Sequence, residues 1–201
     1  MNDTTTNPDH AGLFGIASGQ AGYFTTAQAH DAGFSSPLIR HHVRTGRFMH
    51  VARGLYRLRD YPSTPREEVL AAWLRLAPKA VVSHESALDI LGLSDVIPDA
   101  IHLTVPRTFR KLSPALGVII HTTVRPVRPR DIVNRDGVRL TNAARTIVDV
   151  VEAGLAPDQV QRAVRSAIDR GFTTPRQLRS AVSSRGRRVQ ALVDRAIGEP
   201  G

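Results

Sequence analysis

Residues 36–59 hold six arginines, at positions 40, 44, 47, 53, 57 and 59, and three histidines, at 41, 42 and 50, without one aspartate or glutamate among them. A guanidinium presents its donors in a planar fork that fits a phosphate or the major-groove edge of guanine. A window so rich in forks attracts phosphate and repels cations, which points to duplex nucleic acid. If residues 37–45 are helical, Leu38, Ile39 and Val43 turn toward a core, while Arg40, His41 and Arg44 occupy the opposite face and Arg47 extends it. Arg53 stands beside Gly54 at the tip of an expected hairpin, a place that suits the minor groove. Arg57 completes the candidate DNA-binding set of Arg40, His41, Arg44, Arg47, Arg53 and Arg57. The pair His41-His42 does not make a metal site, because neighbouring helical residues point about 100° apart. Neither a metal nor a cofactor is expected.

Enzyme chemistry finds little support in the remaining motifs. The chain lacks the phosphate loop G-x-x-x-x-G-K-[ST], the dinucleotide fingerprint G-x-G-x-x-G and the nucleophile elbow G-x-S-x-G. His84-Glu85 lacks the second histidine of a zinc-protease helix, because position 88 is leucine. Ser83 before His84 and Glu85 reads as a helix cap with an acid in the first turn. Thr141-Asn142 with Arg145 and Asp149 reads as a capped helix carrying an i, i+4 ion pair. The absence of cysteine excludes disulfides, thiolate ligands and a cysteine nucleophile. No catalytic residue is therefore expected.

The elements that would carry the basic window follow from local signals. Leu13 to Ala17 starts a first helix. Thr25-Thr26-Ala27-Gln28 forms a capping box for a second, which Gly33 ends. Ser36-Pro37 caps a third, which runs to Gly46. Phe48 to Val51 and Leu55 to Leu58 then read as strands around Ala52-Arg53-Gly54. Three helices followed by a hairpin is the order of a winged helix-turn-helix.

Tyr61-Pro62-Ser63-Thr64-Pro65 is the densest proline break and marks an expected domain boundary. Thr64 to Glu67 reads as a capping box for a helix that buries Trp73. A short helix after Ser83, an alternating strand through Ile101, Leu103 and Val105, and another strand over residues 118–123 follow. Ile132-Val133 and Val138 to Leu140 flank Asp136-Gly137, which suits a type I′ turn. Helices are then expected from Thr141 or Asn142 through Ala153, from Pro157 to Arg170 and after Thr174, where a capping box recurs. The fold class is thus α+β: a disordered lead-in at residues 1–11, a winged helix at 12–62 and a mixed α/β domain at 63–201.

The whole chain of 201 residues carries 27 basic against 18 acidic side chains, a net charge of +9 that favours a polyanionic partner. Only Lys79 and Lys111 are lysines. A second basic stretch, residues 107–130, has five arginines and Lys111 without an acid; its open readings are a contact with an acidic partner, with flanking phosphates, or a solvated surface. Residues 1–10 are polar and acidic, unlike a signal peptide, and no apolar run approaches the roughly 20 residues of a membrane span. A cytoplasmic location follows as an expectation.

Taken in order, Tyr23-Phe24-Thr25-Thr26-Ala27-Gln28-Ala29, Gly33-Phe34, Leu38-Ile39-Arg40 and Gly46-Arg47 before Gly54-Leu55-Tyr56-Arg57-Leu58 resemble the AbiEi family of type IV antitoxins. Ser83 to Leu88 with Gly92-Leu93, Ile101 to Pro106, Asp136-Gly137 and Thr141 to Thr146 with Asp149 look like that family's C-terminal region. The resemblance implies a bacterial antitoxin that represses its own operon through the winged helix and neutralises an AbiEii-type nucleotidyltransferase toxin. Its partners would be operator DNA and that toxin, with the chain a monomer or weak dimer. Two alternatives stay open: an atypical serine kinase that phosphorylates the toxin, and a stand-alone winged-helix regulator. Many relatives extend into a nuclease-like domain beyond the position of Arg188; this sequence ends at Gly201, so no nuclease activity is expected.

Overall fold

In the computed structural model, residues 7–109, 115–124 and 127–198 are described. The chain divides into two units, Met1–Ala77 and Pro78–Gly201.

In the first unit, Asp9 accepts a bond from the Gly12 amide at 2.7 Å and caps helix α1, His10–Ser18. The expected lead-in therefore ends before residue 9, and its residues 1–6 lie outside the described residues. Strand β1, Tyr23–Thr25, leads into α2, Thr26–Asp31. The capping box forms as its sequence predicts: the Gln28 amide donates to Thr25 Oγ1 at 3.2 Å, and the Thr25 amide donates to Gln28 Oε1 at 2.8 Å. Helix α3 is Ser36–Arg44. Its cap is Ser35, one residue earlier than expected, with Pro37 inside the first turn. Strands β2, Phe48–Ala52, and β3, Leu55–Leu58, form the hairpin, and β3 pairs on its other edge with β1 in an antiparallel sheet ordered β1-β3-β2. Leu13, Ala17, Phe24, Ala29, Phe34, Ile39 and Phe48 form one core beneath the helices and this sheet. That is a winged helix.

Helix α4, Glu67–Leu74, completes this unit and packs against β1. The break between units thus falls at Ala77 and Pro78, beyond the proline-rich stretch at 61–65. Trp73 is buried, as its helical spacing predicts. The cap differs from expectation. Arg66 holds the N-cap position with φ +61°, no side chain caps the helix, and the Glu67 carboxylate accepts from the Thr64 amide at 3.4 Å and from Arg57.

The second unit contains β4, Val81–Val82; α5, His84–Leu91; β5, Ile101–Pro106; β6, Val118–Thr123; β7, Ile132–Arg135; and β8, Val138–Thr141. They give a mixed sheet in the order β6-β5-β4-β8-β7. β5 runs parallel to β6 and β4 parallel to β8, while the other neighbours are antiparallel. Asp136 and Gly137 have φ +50° and +78°, the positive pair that a type I′ turn requires. Helices α6, Ala143–Ala153; α7, Pro157–Asp169; α8, Pro175–Val182; and α9, Arg187–Gly198, close the unit, with α6 touching α5, α7, α8 and α9. Asn142 caps α6 through the Arg145 amide at 2.9 Å, and Thr174 with Gln177 forms a complete capping box for α8. Leu88, Leu103, Leu140, Ile147, Val164 and Leu178 are fully buried between helices and sheet. The mixed helix and strand content fits the α+β class. Among the described residues, no helix is long and apolar enough to cross a membrane.

Candidate nucleic-acid interface

The position of α3 is fixed by what it buries. Ile39 is 2% exposed, His42 is 5% exposed, and Leu38 and Val43 pack part-buried against the same core. Residues three and four apart share a helix face, so burying Ile39 and His42 leaves Arg40, His41 and Arg44 turned outward. All three are exposed. An Arg44 guanidinium nitrogen lies 3.3 Å from His41 Nδ1, which ties the two polar side chains together on the outer surface. Arg47, past the helix, and Arg53, at the hairpin tip, are exposed too. No carboxylate pairs with any of these five side chains among the described residues. Gly54 has φ +75°, the conformation that turns the hairpin immediately after Arg53.

Arg57 does not belong to this surface. It is 8% exposed; its Nη2 donates to the Pro62 carbonyl at 3.1 Å and to Glu67 Oε2 at 3.2 Å, and its guanidinium lies 5.5 Å from the centre of the Tyr23 ring. The reason is topological. β3 is the central strand of its sheet, and Arg57 shares a face with the buried Leu55. Its charge is neutralised by an acid from α4, ten residues away. Arg59, outside the candidate set, is exposed and donates from Nε to the Gly46 carbonyl at 2.5 Å, closing the segment between α3 and β2.

His42, counted in the basic window and left out of the candidate set, is a buried residue. Its ring lies against Phe48 at 4.8 Å, Phe34 at 5.8 Å and His10 at 5.6 Å, and neither ring nitrogen has a hydrogen-bond partner. Burial, reinforced by the nearby His10, Arg47 and His41, lowers its pKa below the ordinary histidine value. It behaves as a neutral aromatic core residue. The signal was the helical spacing, since 39 and 42 are one turn apart.

In the second unit, the Arg145–Asp149 pair forms at 2.7 Å inside α6, as its i, i+4 spacing predicts. Burial pushes the Asp149 carboxyl up against the pull of Arg145. Ser83 holds the N-cap position of α5, but its hydroxyl makes no cap bond and instead contacts Thr104 and His84. The second basic stretch lies partly outside the described residues, at 110–114 and 125–126.

Residues 13–59, which run from α1 to just past β3, match the family described as transcriptional regulator, AbiEi antitoxin. That match agrees with the resemblance read from the residues and supports an antitoxin or transcriptional-regulator role. Over almost the whole chain the fold is similar to that of the RV2827C protein from Mycobacterium tuberculosis, with a TM-score of 0.60 at 18% identity, covering 94% of this chain and 76% of that one. At that identity the likeness speaks for the fold. No curated protein matches the chain.

Proposed function

We propose that the chain is an antitoxin-type repressor that binds operator DNA through α3 and the β2–β3 hairpin, and that its second unit neutralises a nucleotidyltransferase toxin. The observation that carries the reading is the split of α3. One side is anchored in the core by Ile39 and His42, and the other offers Arg40, His41 and Arg44 unneutralised. In a helix-turn-helix this second short helix enters the major groove and the first crosses the backbone. Arg40 and Arg44 reach base edges or phosphates, Arg47 contacts phosphate, and Arg53 enters the adjacent minor groove. The cytoplasm is taken as the site of action, with the chain bound singly or as a weak dimer on an inverted repeat. Neutralisation is read as occlusion by the second unit, without catalysis.

A gel shift with the DNA upstream of the gene, run across a salt series, tests the reading. Each phosphate neutralised contributes about −0.9 to the slope of log K against log salt. The native chain should retard the promoter with a slope of several units. Arg40→Ala with Arg44→Ala should abolish the shift at about 0.15 M salt. Retention of the shift by the double variant, or no capture at low salt by the native chain, would overturn the assignment.

A further inference from the structure

Three histidines from three different elements of the second unit meet at one point. His84 opens α5, His102 lies on β5 and His121 on β6, and one ring nitrogen from each lies within 4.8 Å of the others. The strand register brings two of them together: Thr104 pairs with His121 and His102 with Ile119, so alternation puts His102, Thr104 and His121 on one face of the sheet. His102 Nδ1 and His121 Nε2 are 3.0 Å apart. The His84 ring lies on His121 with centroids 3.5 Å apart and planes 13° from parallel. His84 Nδ1 is 2.9 Å from Ser83 Oγ, which is itself 2.7 Å from Thr104 Oγ1, so Nε2 is the His84 nitrogen left for a further ligand. His102 is 8% exposed, and its Nε2 is buried without a hydrogen-bond partner. Hydrogen bonding accounts for the His102–His121 contact but not for the face-to-face rings of His84 and His121.

We propose that His84, His102 and His121 form a binding site for one borderline divalent cation of the zinc class. Imidazole nitrogens suit such ions, and a zinc–nitrogen bond of about 2.0–2.1 Å puts tetrahedral ligand atoms about 3.3 Å apart, near the spacing already present between His102 and His121. Only neutral imidazole offers a lone pair to a metal. Burial and the neighbouring histidines hold His84 at about 3, burial and His102 hold His121 at about 4, and burial lowers His102 too. Glu85 and Asp99 bring carboxylate oxygens within 4.8 Å of a His102 nitrogen, which suits the outer partners that orient a ligating ring. His84 and His121 are only half-buried, so a fourth position is left open to water. The in-plane lone pairs of parallel rings do not converge, so a bound ion turns the His84 ring off the plane of His121. The expectation of no metal site, which weighed His41-His42, the missing thiolates and the incomplete His84-Glu85 motif, is revised accordingly. The site involves no residue of the DNA-facing set, and its test is independent of promoter binding.

The experiment titrates zinc, and cobalt as an optical probe, into the full chain after removal of any affinity tag and treatment with chelator. One equivalent should bind, with cobalt giving the visible bands of a four-coordinate site made of three nitrogens and a water. His102→Gln and His121→Gln should each weaken binding at least tenfold, whereas His30→Ala, an exposed histidine of the other unit, should not. Circular dichroism verifies that the variants fold. Nitrogen-15 histidine spectra of the native chain provide a readout that needs no variant, and the resonances of His84, His102 and His121 should move together on saturation. An absence of stoichiometric binding, wild-type affinity in both variants, or unmoved resonances at these three histidines would each overturn the site.

Discussion

At the scale of single residues, two charged or titratable side chains are buried in the first unit, Arg57 and His42. Arg57 joins the central strand β3 to α4 through Glu67, and loss of one partner of a largely buried pair leaves the other charge uncompensated. Because Glu67 keeps partial access to water, we expect Arg57→Ala to cost about 2 kcal/mol in urea denaturation of the first unit, with the salt slope of DNA binding unchanged. Unaltered stability with a shallower slope would return Arg57 to the interface. His42 carries a pH dependence whose sign is fixed by burial. An unfolded histidine takes up its proton near pH 6.5, whereas folded His42 resists to a lower pH, so between those values the unfolded state holds more protons. Stability contributed by neutral His42 is complete above about pH 6.5 and is lost as the pH falls toward the folded value. Between pH 7.5 and 5.5 the wild type should lose more stability than His42→Phe, measured by denaturant unfolding at both pH values. Equal losses would show that the ring is not held neutral. Arg57 reads as a surface group in the sequence, because composition does not reveal which polar side chain a sheet turns inward, whereas the burial of His42 follows from its place one turn after Ile39.

At the scale of elements, much of the local chemistry in which a side chain bonds its own backbone was legible, although the Asp9 cap went unread and the α3 cap is Ser35 rather than Ser36. The Thr25–Gln28 and Thr174–Gln177 boxes, the Asn142 cap and the Asp136-Gly137 turn all form where the spacing puts them. The shortest strands were not legible. β1 and β4 have three and two residues, too few for a period to register, and exist because β3, β5 and β8 supply their hydrogen bonds. Ser83 was misread for the same reason, since Thr104 lies 21 positions away and competes for its hydroxyl. Glycines separate the two kinds of constraint. Gly54 has φ +75° with an added Cβ meeting only Thr26 Oγ1 at 3.7 Å, whereas a Cβ on Gly22, at φ +85°, would fall 2.5 Å from the Tyr61 Cβ. Gly54→Ala should therefore cost about 1 kcal/mol of backbone strain, and Gly22→Ala clearly more, read as midpoints of thermal unfolding. A larger loss at Gly54 would contradict the packing at the start of β1.

At the scale of the whole molecule, the division into two units gives the proposed function a test. If promoter binding belongs to α3 and toxin binding to the Pro78–Gly201 unit, Arg40→Ala with Arg44→Ala should derepress a promoter fusion while cells co-expressing the toxin still grow. Simultaneous loss of both properties would refute the division of labour. The net charge of +9 and the basic window pointed to a polyanion without any fold information, and the order of helices and hairpin pointed to the winged helix. The boundary between units was harder to read, because a run of prolines marks where a helix cannot continue, not where packing ends. The histidine trio was invisible for a related reason, since positions 84, 102 and 121 share no spacing until β5 and β6 align. The ion pair between Arg57 and Glu67 has a mechanical side as well. Helix α4 is the last segment of regular structure before the backbone leaves the first unit at Ala77, so a tug on that exit strains a guanidinium–carboxylate clasp rooted in the middle strand of the wing, rather than slackening an idle tether.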